Sequence, residues 1–255
     1  MSFFTGSSYS VGMSLIGLNS NLAVMYKSIE RLSSGLRINS ASDDPAGLVI
    51  SEQFRTQIAS LNQEIDNISS SINKYQTVSS TVSGLRSQLT GLRSLAIGAA
   101  NEAGNSEGAQ EAFAAAAEDI VDAYNSTVKN AQYNGAKTLD GSEQSLADVS
   151  GLADIDLSTP EAAAASIEHI DEAIAELDSV QIELGSTQQN ELESQQASLE
   201  VTRQNLIAAE SQIRDIDFAQ EYSNYIANMI RTQATMSMIV HAALIGSSVV
   251  SLLDS

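Results

Sequence analysis

The chain has 255 residues with no Cys and no Trp, and its 12 Lys+Arg face 32 Asp+Glu for a formal net charge of −20. That balance argues against nucleic-acid binding and against electrostatic docking on anionic lipid, both of which need a basic footprint. The absence of Cys excludes a disulfide framework and thiol chemistry, and the length allows one or two domains.

In chain order, a first helix is expected from about Ser8 to Leu32, stopping near Gly35. Its apolar residues Val11, Leu15, Leu18, Leu22, Met25, Ile29, Leu32 and Leu36 step by four and three alternately. That is a seven-residue repeat, which places one narrow stripe on the helix and asks for a partner helix. A hinge over 37–45 follows, in which Asp44 is a good N-cap and Pro45 a good first helical residue. Asp43-Asp44 could pass for an acid/base pair, but capping accounts for it without catalysis. The second helix carries Phe54, Ile58, Leu61, Ile65, Ile68, Ile72, Tyr75, Val82, Leu89 and Ala96 in phase. It meets no Gly or Pro between Gly47 and Gly84 and is expected to reach about Asn101. Its length of about 80 Å at 1.5 Å per residue belongs to rods and fibres.

Residues 102–105 read as a turn, and a third helix spans about Glu107 to Asn130. The period then changes. Tyr133-Asn134-Gly135 and Asp140-Gly141 are hairpin signals, so residues 131–160 form a short β or irregular region, with about 136–160 neither helical nor clearly core. Thr159-Pro160 caps a fourth helix striped by Ile167, Ile170, Ile174 and Leu177. Its register continues through Leu192, Leu199, Leu206 and Ile213, so a continuous or once-broken helix from about Glu161 to Arg214 is expected. The last helix repeats the first helix's pattern with Phe218, Tyr222, Tyr225, Met229, Thr232, Met236, Ile239, Ala243, Gly246, Val250 and Leu253.

Both ends are almost free of charge. No charged residue precedes Lys27, and after Glu221 only Arg231 and Asp254 are charged. Burial of one Leu or Met is worth roughly 1.5–3 kcal/mol, so ends this apolar are built to be covered, by each other and by other copies. The expected fold is mainly α, a long antiparallel coiled-coil rod. A short β-hairpin region lies at one end and a terminal helix pair at the other. Residues 1–44 and 216–255 form the terminal-helix domain and 45–215 the rod domain.

Chemical sites are scarce. His169 beside Glu168 and Glu172 reads as a solvated surface side chain rather than a metal ligand. His241 falls in the terminal stripe region, where packing is the simpler role. Glu176, Asp178 and Glu183 form a solvated acidic run. Asn67-Ile68-Ser69 and Asn125-Ser126-Thr127 match the glycosylation sequon but fall within helices. No catalytic, cofactor or metal site is expected. Met236–Leu253 is the one membrane-like stretch, and it keeps the heptad phase, which opposes a membrane-inserting role.

The segment Ile29-Glu30-Arg31-Leu32-Ser33-Ser34-Gly35-Leu36-Arg37-Ile38-Asn39-Ser40-Ala41-Ser42-Asp43-Asp44-Pro45-Ala46-Gly47-Leu48-Val49-Ile50-Ser51 closely resembles the N-terminal signature of bacterial flagellins. The segment Ala208-Ala209-Glu210-Ser211-Gln212-Ile213-Arg214-Asp215-Ile216-Asp217-Phe218-Ala219-Gln220-Glu221 resembles their C-terminal signature. Gln132-Tyr133-Asn134-Gly135 looks like the turn closing the family's third helix. The resemblance implies a structural subunit of the flagellar filament, with terminal helices forming an inner tube and long helices a surrounding layer. The variable outer domain would be nearly absent here. A hook–filament junction protein shares Leu32-Ser33-Ser34-Gly35 and Asp43-Asp44-Pro45 and is the alternative, as is a minor specialised flagellin. The C-terminal motif favours flagellin.

On that resemblance the subunit-packing residues are Leu15, Leu18, Leu22, Met25, Ile29, Leu32, Phe218, Tyr222, Tyr225, Met229, Met236, Ile239, Val250 and Leu253. Asp43, Asp44 and Pro45 form the hinge and helix cap. Implied partners are other copies of the chain, an export chaperone gripping the last helices, and the cap and hook-junction proteins. The implied location is the extracellular filament, reached through the flagellar channel without a cleaved signal peptide. Many flagellins are detected by an innate immune receptor through an Arg, a Leu four residues later and a Glu. Alignment puts those positions at Gly91, Leu95 and Ala116, so two of the three are altered.

Overall fold

In a computed structural model the chain is mainly α-helical. Residues 2–101, 105–142 and 145–253 are described, with side-chain surroundings for all of these except 2–11 and 245–253. The helices are α1 (Ser2–Ser34), α2 (Pro45–Ala99), α3 (Glu107–Asn130), α4 (Pro160–Thr187), α5 (Ser194–Arg214) and α6 (Phe218–Leu253). A two-stranded antiparallel hairpin, β1 (Gln132–Tyr133) and β2 (Ala136–Lys137), follows α3. The backbone separates into two compact units, 1–60 with 203–255, and 61–202.

Most boundaries follow from local chemistry. Gly35 ends α1 in the left-handed conformation, φ 72°, with its amide on the Arg31 carbonyl at 2.8 Å. This is the Gly C-terminal stop. Ser106 Oγ accepts from the Ala109 amide at the start of α3, and Thr159 Oγ1 from Ala162 ahead of Pro160. Asn134 and Gly135 both have positive φ (50° and 81°), the requirement of a two-residue type I′ turn. The first helix begins earlier than expected, at Ser2, because residues 2–7 contain no Pro. The expected helix from 161 to 214 is present as α4 and α5, joined by a six-residue π-helical turn, Gln188–Glu193. The turn expected over 102–105 lies mostly outside the described residues.

In the 61–202 unit, α2 contributes Val78, Val82, Leu85, Leu89, Leu92, Ala96 and Ala99 to one core, alternating four and three. Across it lie Ala117, Tyr124 and Val128 of α3 and Ala163, Ile170, Leu177 and Leu184 of α4, the last four spaced by seven. Two ion pairs fix α2 antiparallel to α4, Arg93–Asp171 at 2.5 Å and Arg86–Asp178 at 2.6 Å. Both pairs are largely exposed, so their role is orientation more than energy.

The segment after the hairpin is a correction to the sequence reading. Residues 136–160 do contribute to the core, because Thr138, Leu139, Val149 and Leu157 are all buried. Asp140-Gly141 makes no tight hairpin; it opens a loop closed by an isolated bridge to Asp148. The Gln110 amide ties this segment to the helices, donating to the Leu157 carbonyl at 2.8 Å and to Ala99 at 3.2 Å. Asn125 does the same at Leu152, donating and accepting. Leu139, Val149 and Leu157 belong to the same buried cluster as the core residues of α2, α3 and α4.

Candidate functional site: the terminal helix pair and its clip

The 1–60 and 203–255 unit brings both signature motifs together. The turn after α1 and the turn before α6 are joined backbone to backbone. Arg37 N donates to the Arg214 carbonyl at 2.6 Å, and Ile216 N donates to the Gly35 carbonyl at 3.1 Å. Leu36 and Asp215 form an antiparallel bridge. The Arg37 guanidinium grips the Ile213 carbonyl through Nη2 at 2.6 Å and Nε at 3.2 Å. These partners lie more than 170 residues apart in sequence, which is why spacing alone did not reveal the clip.

Asp43 and Asp44 divide the remaining work. Asp43 pairs with Lys27 of α1 and accepts from the Asn39 and Ser40 amides at 3.1 and 3.2 Å. The Lys27 bond above all, helped by those amides and opposed by burial, lowers its carboxyl to about 2. Asp44 Oδ1 accepts from the Gly47 amide at 3.0 Å and caps α2, and Pro45 is the first residue of that helix. Asp217 caps α6 through the Ala219 and Gln220 amides at 3.0 and 3.1 Å. Arg214 reaches α2 at Glu52, 3.1 Å away. The sequence singled out Asp43, Asp44 and Pro45 but not Asp217, Arg37 or Arg214. An acidic residue one position before the last apolar run was the available signal for Asp217.

α1 packs along α6, on a line that only partly coincides with the most apolar stripe of each helix. Among the described residues, the fully buried ones of the pair are Ser28, Glu221, Asn228 and Thr232, all polar. Tyr225, Thr235, Ile239 and Ala242 are half-buried, so α6 turns the line 221, 225, 228, 232, 235, 239, 242 inward. These positions also alternate four and three; the line shares Tyr225, Thr232 and Ile239 with the expected stripe and takes 221, 228, 235 and 242 in place of 222, 229, 236 and 243. On α1 the half-buried positions include Ser14, Leu18, Asn21, Leu22, Met25, Arg31 and Leu32, with Ser28 fully buried. Glu221 lies 3.7 Å from Arg31, and Asn228 accepts from Arg231 at 3.1 Å.

The apolar remainder faces outward. Met13, Leu15, Ile16, Val24, Tyr26 and Ile29 of α1 are exposed, as are Phe218, Tyr222, Ile230, Met236, Met238, Val240 and Leu244 of α6. Of the expected packing residues, Leu18, Leu22, Met25, Leu32, Tyr225, Met229 and Ile239 are half-buried, while Leu15, Ile29, Phe218, Tyr222 and Met236 are exposed. The side chains of Val250 and Leu253 lie outside the described residues. So many large apolar side chains left exposed on one helix pair mark it as an interaction surface.

In the 61–202 unit, Gly91 is exposed with open space around it, Leu95 packs against the core and Ala116 is half-buried. Arg93 is held by both oxygens of Asp171, at 2.5 and 3.1 Å. His169 is exposed and 4.0 Å from Glu172, and His241 is exposed. Among the described residues no cluster of His, Asp and Glu could hold a metal ion, and no helix is long and apolar enough to cross a membrane.

Comparison with known proteins matches two family models. One is the bacterial flagellin N-terminal helical region over residues 12–144, and the other the C-terminal helical region over 167–253. A flagellar filament 33 kDa core protein of Treponema phagedenis is 31% identical over 92% of this chain and 94% of its own length. A flagellin of Halalkalibacterium halodurans is 32% identical over 89% and 90% of the two chains. A flagellin of Bacillus subtilis is 30% identical over 88% and 91%. With both signature regions matched and relatives aligned nearly end to end, this chain belongs to the bacterial flagellin family and is a structural subunit of the flagellar filament.

Proposed function

We propose that copies of this chain bind one another through the outward apolar side chains of α1 and α6, around Leu15, Ile29, Phe218, Tyr222 and Met236. The observation that carries this reading is that the fully buried residues described in the terminal pair are polar, while many of its large apolar side chains are exposed. A helix pair meant to stand alone would do the opposite. The occupant is a second copy, because the face is nearly uncharged while the rest of the subunit is strongly acidic. Only an equally uncharged surface can cover it without stranding charges. The four Leu, Ile and aromatic side chains and Met236 then form the desolvated centre of each contact.

Several partners follow from the family resemblance and from this face together. Before assembly, α6 carries Tyr222, Ile230, Met236, Met238, Val240 and Leu244 into water, which suits capture by an export chaperone. Passage through the flagellar channel and contact with cap and hook-junction proteins complete the route to the filament. No catalytic step is part of this function.

The test is Met236→Asp. Met236 is 54% exposed in the subunit, so the substitution leaves the helix content and melting of the monomer unchanged. In a contact between copies it buries an unpaired carboxylate, a cost of several kcal/mol. Seeded polymerisation followed by electron microscopy should yield no filaments. Filaments of normal length and yield would show that the outward face is not where copies meet.

A further inference from the structure

All six methionines of the chain lie in its two terminal stretches, Met1, Met13 and Met25 at one end and Met229, Met236 and Met238 at the other, with none between. Composition alone does not require this, since the long core of the 61–202 unit is built from Leu, Ile, Val and Ala. Met13, Met236 and Met238 are 57%, 54% and 66% exposed, and Met25 and Met229 are half-buried. Exposed thioethers are the sulfurs most open to oxidation, and the chain has no Cys to compete for oxidant. All three sit among the outward apolar side chains of α1 and α6.

We propose that Met13, Met236 and Met238 are sites of reversible sulfoxide formation that gates assembly: oxidation by a peroxide makes the contact face polar and blocks addition of the subunit, while assembly hides the same sulfurs. The reaction is a two-electron oxygen transfer. A sulfur lone pair attacks one peroxide oxygen, the O–O bond breaks and the sulfoxide S–O bond forms. The departing hydroxide takes the proton from the oxygen now bonded to sulfur and leaves as water, so sulfur is oxidised to the neutral sulfoxide and peroxide is reduced. The product is a polar, chiral group in place of a flexible apolar one, and such a change disrupts methionine-rich contacts. A thiol-dependent reductase reverses it. The inference rests on the reading of α1 and α6 as the faces where copies meet.

The experiment uses purified full-length subunit, limited hydrogen peroxide, peptide mass mapping and elongation from preformed seeds. Sulfoxide should form first at Met13, Met236 and Met238, ahead of Met25 and Met229. Elongation should fall at least about tenfold, the factor expected when one methionine-sized burial is lost, while helix content stays constant. Methionine sulfoxide reductases of both stereochemical types should restore it. A triple variant, Met13→Leu, Met236→Leu and Met238→Leu, conserves volume, and whatever its own untreated rate, its elongation with peroxide should equal its elongation without. Equal elongation by oxidised and untreated subunit would overturn the proposal, as would persisting peroxide sensitivity in the triple variant. So would oxidation of the three sulfurs in finished filaments as fast as in free subunit. Untreated subunit that never adds to seeds would instead overturn the filament-contact reading itself, and this proposal with it.

Discussion

Gly47 lies two residues inside α2 and is buried, and replacing it with Ala tests whether the clip is as tight as its hydrogen bonds indicate. A Cβ at this position would stand 2.8 Å from Ile38 Cδ1 and 2.9 Å from Asp44 Cγ, and closer still to Asp44 Oδ2. Real Cβ atoms essentially never come within 3.0 Å of such neighbours. Ile38 is only 2% exposed and has nowhere to retreat. The Asp44 carboxylate can swing away only by releasing the Gly47 amide, and that release costs the helix cap, about 0.5–2 kcal/mol. Crowding against Ile38 adds about 1–3 kcal/mol. Against these stands the better helix propensity of Ala, worth about 1 kcal/mol. The net is a destabilisation of about 0.5–4 kcal/mol. Gly84 is the control, an α2 glycine with nothing within 4 Å of its missing Cβ. There the propensity gain acts alone, and Gly84→Ala should stabilise by up to about 1 kcal/mol. Urea unfolding followed by circular dichroism gives both values with one instrument. If the two substitutions shift stability in the same direction, the steric account of Gly47 is wrong.

Acid sensitivity should trace to Asp43. Its folded value of about 2 lies below the ordinary 3.8, so its contribution is complete above about pH 4 and lost as pH falls towards 2. The melting-temperature gap between the native chain and Asp43→Asn should therefore shrink over that window, and a gap constant from pH 7 to pH 2 would show that the Lys27 pair contributes nothing. Polymerisation should accelerate with ionic strength, because stacking subunits of charge −20 brings like charges together and screening at 0.15 M acts within about 8 Å. A rate independent of salt would mean that the charges are already paired across subunit contacts. Recognition by the innate receptor should be weak. Gly91 and Ala116 supply neither of the polar groups expected there, and Arg93 is already engaged by Asp171. In a cell reporter assay on monomer, Gly91→Arg with Ala116→Glu should raise potency, and native potency matching a strongly stimulating flagellin would contradict the argument.

The helices, their caps and the Asn134-Gly135 turn were legible in the sequence because each is set by neighbours within a few residues. Ser106, Thr159, Asp44 and Gly35 act on amides and carbonyls of their own segment. The buried faces of α2 and α4 were equally legible, because Val82, Leu89, Ala96, Ile170 and Leu177 repeat with the helix period. What the sequence left open was which of two overlapping heptad lines each terminal helix turns inward. Apolarity pointed to 218, 222, 225, 229, 232, 236 and 239; the folded pair keeps 225, 232 and 239 on its inner line but fully buries Glu221 and Asn228 rather than Tyr222 and Met229. The choice belongs to the tertiary structure, since the Leu36–Asp215 bridge and the Arg37 and Arg214 contacts fix the rotation at which α6 leaves the clip. Local patterning cannot report a contact between groups that far apart in the chain. Nor could it foresee that Leu139, Val149 and Leu157 would join the helical core, because burial of an irregular segment depends on the surface it happens to meet.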